Sequence, residues 1–230
     1  MNQRTSLAIV LSRRNYGEAD RILTVMTPDH GKVRLIAKGV RRPKSKLAGG
    51  IELLSENQLS YIAGKSELAT LTSSRVERQF MRVTEDIDRT MYAYDVLKCI
   101  ASITEDDAGE EYYELLRTTL SELNNTQLPL AVVSVWFDLA ILNLTGHQPN
   151  LQTDTNGDPL DIRTTYVFSY DDMSFAPSPV GTDGAALVKF LRLAIASKDA
   201  HLLAKVVGLE ELLPQAKNLA ATMRKHVLRV

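Results

Sequence analysis

Cysteine and tryptophan are nearly absent from this sequence of 230 residues, which holds one of each. A lone Cys99 can close neither an internal disulfide nor a cysteine-based zinc site, so a disulfide scaffold is excluded and a reducing compartment is expected. Long apolar runs are missing as well. The longest, Leu130–Leu144, is interrupted by Ser134, Asp138 and Asn143 and falls short of the roughly 20 residues that cross a bilayer, so it reads as a buried helix and no membrane partner is expected. Residues 1–12 carry Arg4 and a short apolar stretch without the apolar core and small-residue cleavage site of a leader, which makes the expected location cytoplasmic.

Catalytic signatures are also lacking. Gly31-Lys32 has neither the upstream glycine nor the following hydroxyl of a phosphate loop, and no G-x-G-x-x-G, H-E-x-x-H, G-x-S-x-G or paired-cysteine motif occurs. His30, His147, His201 and His226 are scattered, and His147 sits in Gly146-His147-Gln148-Pro149 as a turn residue. Cys99 falls within an apolar helical pattern with no nearby cation to depress its pKa. No ATP-driven step, metal or cofactor is expected. The acidic group Glu105, Asp106, Asp107, Glu110, Glu111 and Glu114 suits the N-terminal dipole of a helix. The competing reading is a Mg²⁺-dependent nuclease that uses Asp106, Asp107 and Glu110.

What is present is charge, unevenly placed. Residues 1–80 hold 14 basic and 7 acidic side chains, a balance of +7, whereas residues 81–230 hold 13 and 21, a balance of −8. A basic module joined to an acidic one points to a polyanionic partner on one side only. Between Lys32 and Lys46 stand Lys32, Arg34, Lys38, Arg41, Arg42, Lys44 and Lys46, with no acid among them. Such a run can track a phosphate backbone whatever its sequence. It can equally be a solvated face that binds nothing. Only Tyr16, Tyr61 and Phe80 supply aromatic rings in residues 1–80, too few for a row of base-stacking platforms.

Short apolar segments at Ser6–Arg13, Arg21–Thr27, Lys32–Ala37, Leu53–Ile62 and Leu68–Val76, separated by turn residues that include Ala63-Gly64-Lys65, predict five strands. In the third, alternation sends Val33, Leu35 and Ala37 to one face and Lys32, Arg34 and Lys38 to the other. Five such strands in about 75 residues form a small Greek-key barrel, of which the oligonucleotide-binding (OB) fold is one form, or an open sheet.

Beyond Val83 the period becomes helical. Ile87, Met91, Tyr94, Val96, Leu97, Ile100, Ala101 and Ile103 are expected to share one apolar face. A second helix is expected over Gly109–Leu123. A third is opened by Pro129 and closed by Gly146, with Trp136 and Phe137 in the helical core. Residues 147–182 are turn-rich and predict a small hairpin of Tyr166–Ser169 with Met173–Ala176. Asp183 is expected to cap a helix burying Leu187, Phe190, Leu191, Ala194 and Ile195. A last helix from near Leu209 buries Leu212, Ala216, Leu219, Met223 and Val227, leaving Lys217, Arg224, Lys225 and Arg229 outside.

The segment Ile9-Val10-Leu11-Ser12-Arg13-Arg14-Asn15-Tyr16-Gly17-Glu18-Ala19-Asp20-Arg21-Ile22-Leu23-Thr24, followed by Thr27, Gly31-Lys32 and Ala37-Lys38-Gly39-Val40-Arg41-Arg42-Pro43-Lys44-Ser45, resembles the N-terminal domain of the RecO family of bacterial DNA repair and recombination mediators. The likeness extends more weakly to the whole layout, including Gly146, Pro149 and Leu151 ahead of the hairpin. It implies an α+β protein with an N-terminal five-stranded OB barrel over residues 1–80 and an all-helical domain over 81–230 that carries the hairpin insertion. It also implies a non-enzymatic role: binding single- and double-stranded DNA, annealing complementary strands, and assisting RecA loading with RecR and the single-stranded-DNA-binding protein. By position, Lys32, Arg34, Lys38, Arg41, Arg42, Lys44 and Lys46 become the DNA surface, while Glu18, Asp20 and Arg21 are expected to fix the first hairpin through an ion pair. A scaffold without intrinsic DNA binding is the third reading. Many members carry a four-cysteine zinc module around a Phe-Ser strand. Here Val167-Phe168-Ser169 is present, but Gln152–Gly157 and Phe175–Pro179 contain no cysteine, so the hairpin is expected to be zinc-less and held by Tyr166, Phe168 and Phe175. Lys217, Arg224 and Lys225 of the last helix are a candidate groove for an acidic tail.

Overall fold

Apolar segments that alternate over part of their length build the first five strands of the computed structural model, which describes residues 2–63 and 67–229. They are β1 (Asn2–Tyr16), β2 (Asp20–Thr27), β3 (Gly31–Ala37), β4 (Ser55–Ala63) and β5 (Leu68–Gln79). They close into a barrel in the order β1-β2-β3-β5-β4. Every pairing is antiparallel except that of β3 with β5, and β1 closes the ring against β4. This is the OB arrangement rather than an open sheet, with the ring closed between β3 and β5 over only Arg34–Ile36. Inward-facing Val10, Leu23, Val25, Leu35, Ala37, Leu59, Tyr61 and Leu71 fill the interior. The Gly64–Lys65 turn lies outside the described residues.

The chain divides into two compact units, residues 1–124 and 125–230. In the first, α1 (Ile87–Ile103) packs on β1 and α2 (Glu110–Asn124) on β2. Asp86 starts α1, its carboxylate accepting the amides of Asp88 at 2.9 Å and Arg89 at 3.1 Å. The expected apolar face of α1 is only half right. Val96, Leu97 and Ile100 are buried with Ala93 and Cys99, but Ile87 is 73% exposed and Met91 61%, and Tyr94 is exposed too. Their place inside is taken by Arg89, whose guanidinium donates to the Leu123 carbonyl at 2.9 Å. A cation that caps the end of α2 can thus displace an apolar residue from the core face. The turn at Gly31 (φ +59°) also needs its glycine, because a Cβ there would come within 2.7 Å of the Asp106 and Ala108 carbonyls.

In the second unit α3 (Leu130–Leu144) is buried nearly all round and packs against α4 (Ala185–Ala196) and α5 (Leu209–Leu228). Trp136 donates its indole N–H to the Ser197 carbonyl at 3.0 Å. Between α3 and α4 the chain forms β6 (Asn150–Asp154), β7 (Tyr166–Ser169) and β8 (Ser174–Pro177) in the order β6-β8-β7, one strand more than the expected hairpin. Phe168 meets Phe175 edge-on at 5.1 Å and Tyr166 meets Phe175 at 6.0 Å, a buried aromatic cluster at its centre.

Three expectations need correction here. Gly184, not Asp183, occupies the cap of α4, and the Asp183 carboxylate instead accepts the Gln215 amide at 2.5 Å. Leu212 and Val227 of α5, and Ile195 of α4, are only half-buried. Arg224 is not a surface cation: it is 3% exposed and pairs at 2.8 Å with Asp138 of α3, which is 2% exposed. A groove that relies on Arg224 is therefore not available on α5.

Candidate nucleic-acid interface

Strand β3 delivers its basic residues to the outer wall as the alternation requires, but two of them are already engaged. Lys32 directs its ammonium at the carbonyls of Ala101, at 3.2 Å, and of Thr104. A cation there satisfies the orphan carbonyls at the end of α1, which is a structural task. Arg34 is ion-paired with Glu67 beside β5.

The loop that follows is different. Lys38, Arg41, Arg42, Lys44 and Lys46 are all exposed. Among the described residues, Lys38, Arg42, Lys44 and Lys46 form no ion pair, whereas Arg13 pairs with Glu52, Arg75 with Glu77, and Arg78 with Glu56 at 3.7 Å. Arg41 donates only to the Gly17 carbonyl, at 3.3 Å. Cations without an ion-pair partner are therefore gathered on this loop.

The loop is nevertheless held in shape. Gly39 takes the left-handed conformation (φ +64°), and its amide donates to Asp20 at 2.7 Å. The Arg41 amide donates to Ala19 at 2.9 Å, and those of Arg42 and Ser45 close turns on Gly39 and Arg42 at 3.1 and 3.0 Å. At the far end Ser74 donates to the Leu47 carbonyl at 2.9 Å, and Ile51 is buried in the barrel core. The first hairpin is fixed differently from the expected ion pair. Asp20 anchors a backbone amide, Arg21 donates to Asn15 at 3.1 Å and lies 3.9 Å from Glu52, and Glu18 is exposed. The Asp20 anchor escaped a reading based on charge pairing, because its partner is a peptide N–H.

The acidic alternative has little to build on. Asp106, Asp107 and Glu110 line an open cavity with Asp29 and His30, yet among the described residues no group of three His, Cys, Asp or Glu side chains is placed to hold a metal ion. A zinc ion does not fit the small sheet either. Gln152–Gly157 and Phe175–Pro179 offer no thiol or imidazole, and the Asp154 carboxylate already accepts the amides of Asn156 at 2.8 Å and Asp158 at 3.1 Å. His147 is an exposed turn residue and Cys99 a buried core residue.

A closed OB barrel bearing one uncompensated cationic loop, followed by helices and a small three-stranded sheet, defines an α+β protein of the OB-barrel class. Comparison narrows this. Residues 1–80 match the family model described as "Recombination protein O N terminal" and residues 84–210 the model "Recombination protein O C terminal". The chain belongs to the recombination protein O family. It is 32% identical over 163 residues to the DNA repair protein RecO of Dehalococcoides mccartyi, covering 70% of this chain and 64% of that protein. Against the DNA repair protein RecO of Heliobacterium modesticaldum it is 35% identical over 156 residues, 67% of this chain and 56% of the relative. Each match thus spans less than two thirds of the curated relative's length.

Proposed function

We propose that this chain is a non-enzymatic DNA-binding mediator of recombination in DNA repair. In this reading it binds single- and double-stranded DNA through Lys38, Arg41, Arg42, Lys44 and Lys46, with Arg34 at the margin and Lys32 in a supporting role. It anneals complementary strands and assists RecA loading together with RecR and the single-stranded-DNA-binding protein, in the bacterial cytoplasm. Residues 1–80 are the DNA-binding module and the acidic residues 81–230 the partner-recruiting one. Family membership supports the repair role, since the relatives are named DNA repair proteins. Among the described residues no helix is long and apolar enough to cross a membrane.

The observation that carries the DNA assignment is the contrast in pairing. Arg13, Arg34, Arg75 and Arg78 of the barrel face glutamates, while the loop lysines do not, and the loop is held by backbone hydrogen bonds rather than by charge. Phosphates that replace small counterions on such a loop gain affinity by releasing those ions. Neutralised strands repel one another less, which is the physical content of annealing without bond-making chemistry. The test is to reverse Lys38, Arg41 and Arg42 to Glu. Loss of DNA binding with an unchanged melting temperature supports the reading, and unaltered affinity removes the loop from it.

A further inference from the structure

Helix α1 carries a second apolar row, on the side away from its packing partners. Its inner face, with Arg89, Ala93, Val96 and Ile100, is buried, and β1, α2 and the short helical turn Met81–Glu85 pack against α1. Met91 is nine positions from Ile100, which at about 3.6 residues per turn puts it on the opposite side of the helix. Ile87, Met91 and Tyr94 follow one another there at spacings of four and three, and Lys98 continues the row four positions on. The three apolar side chains are 73%, 61% and 42% exposed. The outer face of a surface helix is normally polar. Single exposed apolar side chains are common, but three in line along a helix make a contact surface.

The charges along this row have an order. Asp88 lies at its N-terminal end and Lys98 at its C-terminal end, both exposed, and among the described residues neither forms an ion pair. They are ten positions apart, about 15 Å along the axis, so they cannot meet within one helix. A second copy of α1 laid antiparallel across the first brings them together. With Met91 of each copy against Tyr94 of the other, each Lys98 ammonium comes beside the Asp88 carboxylate of the other copy. A thioether against a phenol ring is a favourable contact, and both end charges are paired at once. A parallel pairing would set Asp88 on Asp88 and Lys98 on Lys98, and is opposed by charge. The row is thus complementary to itself in the antiparallel sense, which is the geometry of a two-fold, isologous interface.

We propose that α1 is a self-association surface. Two copies of this chain pair through antiparallel α1 helices, with Met91 and Tyr94 at the centre and an Asp88–Lys98 ion pair at each end. Three helical turns bury less than a standard interface of about 1,200–2,000 Å², so the dimer is transient, with a dissociation constant of about 10–100 μM. Pairing joins two barrels and therefore two cationic loops, so that one assembly can hold both of the strands to be annealed. That consequence rests on the DNA-binding reading above. The pairing itself does not, and it is tested without DNA, so the two fail separately.

The 230-residue chain is followed by sedimentation velocity over a range of concentrations, each variant first being matched to the wild-type circular dichroism. The wild-type chain is expected to pass from monomer to dimer between about 1 and 300 μM, and Met91→Glu to stay monomeric over that range. Asp88→Lys and Lys98→Glu, each alone, set like charges against each other at both ends, and each is expected to weaken pairing at least about tenfold. Mixed in equal amounts, these two variants carry opposite charges at both ends, and the dimer is expected to return to within about threefold of the wild-type affinity. Its return also certifies that both are folded. A wild-type chain that stays monomeric overturns the proposal, whether the row is bare or covered by a different protein. A single variant that pairs as tightly as the wild type overturns it, as does a mixture that pairs no better than its components.

Discussion

The Asp20 carboxylate accepts the Gly39 amide at 2.7 Å and so joins the first hairpin of the barrel to the start of the cationic loop. Gly39 is in the left-handed region there, with φ +64°. The loop is thereby held at a residue that carries no charge, and among the described residues its cations form no ion pair.

Asp20→Ala is expected to release this anchor. A hydrogen bond to a charged acceptor contributes about 1.5–3 kcal/mol, so the melting temperature should fall by several degrees. Trypsin should then cut after Lys38 and Arg41 faster than in the wild-type chain. Limited proteolysis followed by mass spectrometry checks this, and an unchanged cleavage rate would mean that the backbone turns alone hold the loop.

Glu67→Gln should strengthen DNA binding. Glu67 is exposed and occupies the Arg34 guanidinium. Surface pairs of this kind contribute about 0–1 kcal/mol, so a severalfold gain at low salt is the largest effect expected, and it should fade as salt rises. Anisotropy titrations at two ionic strengths measure it.

Asp138 and Arg224 form a buried pair linking α3 to α5. Removing one partner strands the other charge, so Asp138→Ala should cost about 3–5 kcal/mol in urea unfolding, while replacing both by Leu and Met should cost far less. Equal losses in the single and double variants would show that packing, not the stranded charge, sets the penalty.

Tyr113 donates its hydroxyl to Glu56 at 2.5 Å, and Arg78 lies 3.7 Å from the same carboxylate. Burial first, and then the bond to Glu56, raise the Tyr113 pKa above its ordinary 10.0. A phenol with a raised folded pKa contributes stability that is complete below the unfolded value and is lost as pH climbs through the folded one. Wild-type stability should therefore fall more steeply above about pH 10 than that of Tyr113→Phe, which should itself be about 1–3 kcal/mol less stable at neutral pH. Urea midpoints measured across that range decide it.

The barrel strands were legible because alternation is a local property, as Val33, Leu35 and Ala37 against Lys32, Arg34 and Lys38 illustrate. α3 was legible because only a helix at the centre of a bundle can be apolar all round. What escaped depends on distant partners. Arg89 and Arg224 are cations inside the fold because Leu123 and Asp138 await them. Lys32 is withdrawn from the surface by carbonyls about 70 positions away, and Arg34 is partly neutralised by Glu67. β6 escaped because Asn150-Leu151-Gln152-Thr153-Asp154 buries only Leu151 and Asp154 and so shows no apolar alternation. Of the candidate site, the loop was visible as composition. The pairing that separates Lys38, Arg42, Lys44 and Lys46 from Arg13, Arg34, Arg75 and Arg78 was not.

The most direct measurement is the salt dependence of binding to a labelled single-stranded oligonucleotide, for the wild-type chain and for the Lys38→Glu, Arg41→Glu, Arg42→Glu variant. With five loop cations contacting phosphates, log affinity should fall against log salt with a slope of roughly −3 to −4, at about 0.7 per phosphate. In the variant both affinity and slope should collapse. A wild-type slope near zero, or a variant that binds with the same affinity and slope, would contradict the assignment of DNA binding to this loop.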